Sequence, residues 1–361
     1  MMSYDVVYKN LMLDGKKVDI GVNDGKIAYI GSIDADGKDF GGLCVRAGLV
    51  DIHTHGMGGL DTMDADIVSL AAHYAKEGTT TFCPTTMSAP HGEIARALSA
   101  KMPTAKEGAS VGGFHAEGPF LNKKRKGAMN EDCIRLPDEK EFEEFDNISL
   151  ITVAPEIDGA IDYIKNSKAV VCVGHTDADY ETVCRAADAG AKCVTHLFNT
   201  MPSLHHREPS VLGAAFDKGM YVQLITDGIH IHPSVVRMTY KLFGSDRMII
   251  ISDSMRATRL ADGEYDLGGQ ITIVKDSIAR TKDGALAGST ATLLDCVKKA
   301  ISFGIDANDA FKMASETPAK LLGLNCGKVE VGYDCDLIVL EDNELRDVII
   351  KGELYKAQEE K

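Results

Sequence analysis

Four short apolar runs each end in residues able to bind a metal: LVDIHTHG with His53 and His55, GGFHAEGP with Glu117, VVCVGHT with His175 and KCVTHLFN with His196. A fifth run, MIIISDSM, ends in Asp253. Imidazole and carboxylate are the donors that hydrolytic Zn²⁺ and Fe²⁺ sites use. His53 and His55 alternate with Thr54, so on an extended strand both face the same side and can grip one ion. Glutamate is rarely buried without a cation or a polar network, and Glu117 ends an apolar run directly before Gly118-Pro119. Glu117, His175 and His196 make a set of protein ligands that leaves coordination open for water. Asp253 beside that water can take its proton and pass it to a leaving group. His115 shares the parity of Glu117 and reads as a hydrogen-bonded core histidine. The chemistry these residues suit is hydrolysis by metal-activated water.

The elements that must position them follow a repeated beat of strand and helix. Eight strand candidates occur: CVRAGLVDI, TTTFCPT, GASVGGFHAE, SLITVAPE, AVVCVGHT, AKCVTHLF, MYVQLITDG and RMIIISDS. They are apolar rather than alternating, as expected of strands covered on both faces. Helical spacing marks 64–77, 179–189 and 233–243, each followed by glycine. Eight such units predict an α/β fold of (β/α)₈ TIM-barrel type, with its chemistry on the loops after the strands. No GxGxxG follows the first strand, which removes support for a dinucleotide-binding open sheet. Hairpin signals at Asp14-Gly15 and Asn23-Asp24-Gly25, and alternation in KVEVGYDCDLIVL and ELRDVIIKGELY, predict a β-sandwich built from both termini. The expected division is 1–46 for its N-terminal part, 47–324 for the barrel and 325–361 for its C-terminal part. A hairpin-like insertion, EYDLGGQITIVKDSIARTKDG, follows the last barrel strand.

The chain has 361 residues, 44 % of them hydrophobic and 26 % charged, ordinary for a globular enzyme. A net charge of −15 argues against nucleic acid or an anionic membrane as partner. The nine cysteines are scattered without a CxxC pair, which fits a reducing compartment. MMSYDVVYKNLMLDGKK lacks the apolar core of a secretion signal, so the expected location is the cytoplasm.

GLVDIHTHG, GFHAEGPFLN, VGHT, THLFNTMP, HHREP, DGIHIHP, SDSMRA and LAGS occur in this order. Through them the chain resembles the amidohydrolase superfamily, and within it the amino-sugar-phosphate deacetylases. HTHG alone indicates only the superfamily; HAEGPF, THLFN and HHREP together are far more specific. The resemblance implies hydrolysis of the acetamido group of N-acetyl-D-glucosamine 6-phosphate to D-glucosamine 6-phosphate and acetate. The galacto epimer or another N-acetyl amino sugar is the alternative. A cyclic-amide hydrolase is a further one, although that type usually carries a bridging lysine. Position by position, the resemblance implies that Glu117, His175 and His196 hold the main metal. His53 and His55 match the additional ligands of two-metal members, with Glu117 then bridging. One or two Zn²⁺ or Fe²⁺ ions per subunit are therefore implied. Asp253 matches the general base toward water and acid toward the amine. His230 matches a substrate-contacting histidine, with His232 as its neighbour. Arg207 matches a phosphate-binding arginine that reaches across a homodimer interface. Asn199 and Thr200 match the loop whose amides meet the phosphate, and Leu286, Ala287 and Gly288 the loop lining the sugar. One departure stands out: where members usually read KGAH or KGTH, this chain reads KGAM. Met129 replaces the histidine near the substrate carbonyl, and a thioether cannot donate a hydrogen bond. The preceding Lys123-Lys124-Arg125-Lys126 reads as a solvated loop.

Overall fold

The computed structural model describes residues 3–355; the outermost residues of both expected terminal segments, 1–2 and 356–361, lie outside the described residues. All eight expected barrel strands form: β1 (Leu49–Thr54), β2 (Thr79–Thr86), β3 (Phe114–Glu117), β4 (Ile148–Val153), β5 (Val170–Val173), β6 (Cys193–Val194), β7 (Tyr221–Ile225) and β8 (Met248–Ile251). Each pairs in parallel with its successor. β8 returns to β1 without a regular ladder. The Asp253 N–H donates to the His53 carbonyl at 3.0 Å, and the Ser252 hydroxyl donates to the buried Asp51 carboxylate. The result is a nearly closed eight-stranded barrel.

The first run differs from its expected single strand. CVRAGLVDI divides at Gly48, so that Cys44–Ala47 joins the terminal sheet and only β1 joins the barrel. The division needs glycine, because a Cβ there would lie 2.1 Å from Thr80 Oγ1.

Strand parity sorts the barrel interior into layers. Cys83, Leu150, Cys172, Cys193, Ile225, Ile249 and Ile251 belong to one buried apolar cluster with Val50 and Ile52. Glu117, Thr152 and Asp253 stand further along, toward the carboxyl ends of the strands. The opposite parity, Phe114, Ala116, Ile151, Val153, Met248 and Ile250, packs under the helices. The β1–β2 register shifts between Asp51 and Thr54, so His53 follows Ile52 into the interior instead of alternating away from it.

The helices obey their caps. Ile67–Lys76 starts later than expected, because Asp64 belongs to a preceding 3₁₀ turn and Asp66 is the cap, accepting from Ser69 N. Tyr180–Ala189 is capped by Asp179 and ends at Gly190, and Pro233–Phe243 ends at Gly244. The insertion forms a three-stranded antiparallel sheet, Gly263–Leu267, Gln270–Lys275 and Ile278–Thr281.

The terminal segments meet as expected, their strands joined through one hydrogen-bonded sheet of eight that encloses a core of its own. Two hairpins turn at Asp14-Gly15 and Asp24-Gly25, all four residues having positive φ, the geometry of a type I′ turn. Leu337, Val339 and Ile349 join Tyr8, Leu11 and Ile20 in the sheet's own core. Ile338, Leu340, Val348 and Ile350, of the other parity, pack into the main barrel cluster. Alternation along these strands thus fastens the sheet to the barrel. No helix among the described residues is long and apolar enough to cross a membrane, and all nine cysteines are free thiols.

Candidate metal centre

Four histidines from the ends of three strands, β1, β5 and β6, converge on Glu117. His175 Nε2 and His196 Nε2 lie 3.1 and 2.9 Å from Glu117 Oε1, and 3.2 Å from each other. His53 Nε2 is 3.3 Å from the same oxygen, whereas His55 Nε2 is 3.2 Å from Glu117 Oε2. Asp253 Oδ1 stands 3.4 Å from the Nε2 atoms of both His53 and His55. Two candidate ligand sets result, Glu117 with His53 and His55, and Glu117 with His175 and His196. They share the one carboxylate, and all five members are buried.

The backbone achieves this convergence by the same device at several strand ends. His175, His196 and Asp253 each lie two residues past the last residue of β5, β6 and β8, and their φ values are 47°, 26° and 49°. Left-handed backbone is uncommon for such residues and costs on the order of 1–3 kcal/mol each. Surrounding bonds hold them there. Asn122 N–H donates to the His175 carbonyl, Leu197 N–H to the Gln223 carbonyl next to His196, and Ser289 N–H to the Asp253 carbonyl, at 3.0, 2.8 and 2.7 Å. Gly127 must be glycine for the loop over His175 to approach, since a Cβ would meet Thr200 Cγ2 at 2.8 Å.

Nearly every imidazole is oriented from behind. Nδ1–H of His55 donates to the Thr85 carbonyl at 3.2 Å, and that of His175 to the Arg125 carbonyl at 2.8 Å. His53 Nδ1 lies 3.0 Å from Gln223 Oε1. Each then turns Nε2 toward the carboxylates, the arrangement that metal-ligating histidines adopt. His53 Nε2 is buried without a hydrogen-bond partner.

The electrostatics demand positive charge in the middle. Burial pushes the Glu117 carboxyl up, but His53, His175 and His196 outweigh it and hold the group well below the usual range. Asp253 likewise goes down despite burial, through His53 and His55. His55 rises well above its ordinary value, its burial overcome by Asp253 and Glu117. Lone pairs on neutral Nε2 atoms aimed at anionic oxygens about 3 Å away repel unless a proton or a metal ion lies between them. The donor types and the unpartnered His53 nitrogen fit a divalent cation.

Above the cluster opens a cavity of ≈ 270 Å³, lined by His55, Glu117, His175, His196 and Asp253 below, and by Met129, Asn199, Thr200, His230, Leu286 and Gly288 around it. His230 is fixed by Asp227, whose Oδ2 lies 2.7 Å from its Nδ1. Burial lowers the basicity of His230, but Asp227 more than compensates and the group rises. Met129 Sδ accepts from Ser88 N at 3.3 Å. A larger cavity of ≈ 440 Å³ beside Phe142 and Tyr163 contains no imidazole, so size alone does not find the chemistry.

Several expected residues lie elsewhere. Ala287 is buried and does not line the cavity beside its neighbours. Arg207 is exposed on the turn between His205 and Glu208, its Nη1 donating to His206 Nε2 at 2.7 Å, and it does not line the cavity of its own chain. His232 caps the helix Pro233–Phe243. His115 Nε2 meets Thr152 Oγ1 at 2.8 Å while its Nδ1 has no partner, so the core histidine is only half satisfied. The basic run is not simply solvated: Arg125 pairs with Asp177 at 2.7 Å and its carbonyl orients His175. Residue-by-residue reading missed Thr85, Gln223 and Asp227. Gln223 carried a signal, as the one amide in the apolar run YVQLI.

A parallel barrel with imidazoles and carboxylates gathered at its carboxyl end defines a barrel hydrolase of metal-dependent type. The family model described as "Amidohydrolase family" matches residues 44–355, and the chain belongs to that family. It is 37 % identical over 355 residues to the N-acetylglucosamine-6-phosphate deacetylase of Bacillus subtilis (strain 168), covering 90 % of this chain and 89 % of that one. It is 32 % identical over 352 residues to the N-acetylgalactosamine-6-phosphate deacetylase of Escherichia coli O157:H7, covering 92 % and 93 %. Among solved structures, a mutant of the Mycobacterium smegmatis N-acetyl-D-glucosamine-6-phosphate deacetylase in complex with N-acetyl-D-glucosamine-6-phosphate superposes with a TM-score of 0.89. That match has 29 % identity and covers 98 % of this chain and 99 % of the other.

Proposed function

We propose that this protein hydrolyses the acetamido group of N-acetyl-D-glucosamine 6-phosphate, releasing acetate and D-glucosamine 6-phosphate. The observation that carries the reading is Glu117 shared between two histidine pairs, with Asp253 3.4 Å from one pair, at the base of a sugar-sized cavity. Glu117, His175 and His196 would hold one divalent ion, and His53 and His55 with the same carboxylate a second. Zn²⁺ and Fe²⁺ both suit this donor set. Bound there, the metal supplies acidity to water and polarisation to the amide carbonyl, a polarisation that the Met129 thioether cannot give.

The chain's own residues do the rest. Asp253 is the general base toward the attacking water; afterwards it returns the proton to the departing nitrogen, so the amine leaves neutral. His230, held through Nδ1 by Asp227, offers Nε2 to the substrate. Backbone amides of Asn199 and Thr200 face the phosphate, and Leu286 and Gly288 form a wall against the sugar. Arg207, turned away from its own cavity, is supplied to the phosphate by the second subunit of a homodimer. The guanidinium fork suits phosphate, and binding energy gained there orients the acetamide over the centre. Free thiols throughout suit work in a reducing cytoplasm. A cyclic-amide substrate is disfavoured, because no lysine lines the cavity. The test is a deacetylation screen over N-acetylglucosamine and N-acetylgalactosamine, each with and without 6-phosphate, with metal analysis of the same preparation. Fastest turnover of the phosphorylated gluco sugar is expected; no turnover of any of the four overturns the reading.

A further inference from the structure

We infer that Gln223 is a positioning residue that fixes the metal-facing nitrogen of His53 and so governs how tightly the His53/His55 side of the centre holds its ion. The inference rests on the metal-centre reading above. Gln223 lies on β7, fully buried, and its amide orientation follows from its neighbours. The His196 backbone N–H, which can only donate, points at one terminal atom of the side chain at 3.4 Å. That atom must therefore be the carbonyl oxygen. The same oxygen is 3.0 Å from His53 Nδ1, so Nδ1 must carry a hydrogen and donate it. In the neutral ring Nε2 is then an unprotonated lone pair. It is the nitrogen that lies 3.3 Å from Glu117 and 3.4 Å from Asp253, with no hydrogen-bond partner of its own.

His53 differs from its fellow candidate ligands in this respect. His55 and His175 are oriented by backbone carbonyls, which no side-chain substitution removes. Only His53 depends on a replaceable side chain. Gln223 also ties the two halves of the centre together. Its side chain takes the His196 N–H and its main-chain carbonyl the adjacent Leu197 N–H at 2.8 Å, across the left-handed turn that presents His196. The amide Nε2 has only a distant sulfur neighbour, Cys172 Sγ at 4.0 Å, so the acceptor end of the group carries its role.

The test compares wild type, Gln223→Leu and Gln223→Glu by Zn²⁺ competition against a chromophoric chelator, by metal count after dialysis, and by thermal unfolding of the metal-free proteins. Gln223→Leu should weaken the zinc site of His53 and His55 by about 10- to 100-fold, the cost typical of losing a ligand's orienting partner. Gln223→Glu keeps an acceptor toward both donors and should restore the affinity. If Gln223→Leu does not fold, Gln223→Met, of similar volume and without a carbonyl, replaces it. A Leu or Met variant with wild-type affinity at every site overturns the inference, as does a Glu variant as impaired as Leu. A change in unfolding temperature alone would mean that Gln223 only packs. Wild-type protein that takes up no metal overturns the metal-centre reading itself, a result distinct from all of these.

Discussion

Two sets of buried carboxylates in this molecule behave in opposite ways. At the barrel rim, Glu117 and Asp253 are buried among imidazoles that hold both carboxyls below their ordinary range. In the terminal sheet, Asp336 is equally buried, but it has one hydrogen bond, from Lys351 N at 2.7 Å, and its Oδ2 has none. Burial there pushes the carboxyl up to about 6, with Lys351 only partly offsetting it. The same chemical group is thus kept charged where counter-charge converges and is driven toward neutrality where it does not. Burial identifies neither as functional; convergence does.

The comparison breaks most visibly at Glu117. Glu117→Ala removes the ligand common to both sets, so metal content and activity should fall together to background; a variant that retains its metal would show that the carboxylate is structural. Asp253→Asn comes next. It keeps the shape but cannot accept the water's proton, so kcat should fall about 10²- to 10⁴-fold with metal content and KM little changed. An unchanged rate removes Asp253 from the proton transfer.

Asp336→Asn probes the other region and should leave turnover alone. A carboxyl raised from its ordinary 3.8 to about 6 binds protons more tightly in the folded chain. Its contribution is therefore most favourable below pH 4 and is lost as the pH rises toward about 6. Chemical unfolding of the variant and wild type at pH 4 and pH 7 should show the variant gaining about 2–3 kcal/mol relative to wild type between the two. No change in that difference would mean that Asp336 is well solvated in the folded state. The mildest effect is expected outside both regions, at exposed Arg207. Arg207→Ala should raise KM for the 6-phosphate sugar about tenfold, the loss of one charge-assisted contact, and leave the unphosphorylated sugar unaffected. Equal effects on both sugars would make Arg207 structural.

Much of this arrangement was legible in the residues. Strands buried on both faces must be apolar, so eight apolar runs mark eight barrel strands, and a polar residue ending such a run stands out. His53, His55, Glu117, His175, His196 and Asp253 were found in this way. Gln223 was not, because its signal, one amide inside an apolar run, lies mid-strand and does not say which distant group it orients. Arg125 was read only as a charge, whereas its backbone carbonyl is what reaches His175. Ala287 followed its neighbours by adjacency, but consecutive residues of an extended loop face opposite ways.

Local pattern by itself determined the architecture, the strand ends that bear ligands and the two hairpins of the terminal sheet, because periodicity and turn chemistry depend only on near neighbours. The tertiary structure decided what near neighbours cannot. It split the first run at Gly48 against Thr80, shifted the β1–β2 register so that His53 turns inward, and joined both termini into one sheet. It also placed His175, His196 and Asp253 in left-handed backbone around a shared carboxylate. Each outcome depends on groups far apart in the chain coming within 2–4 Å of one another, a distance that no local sequence window encodes.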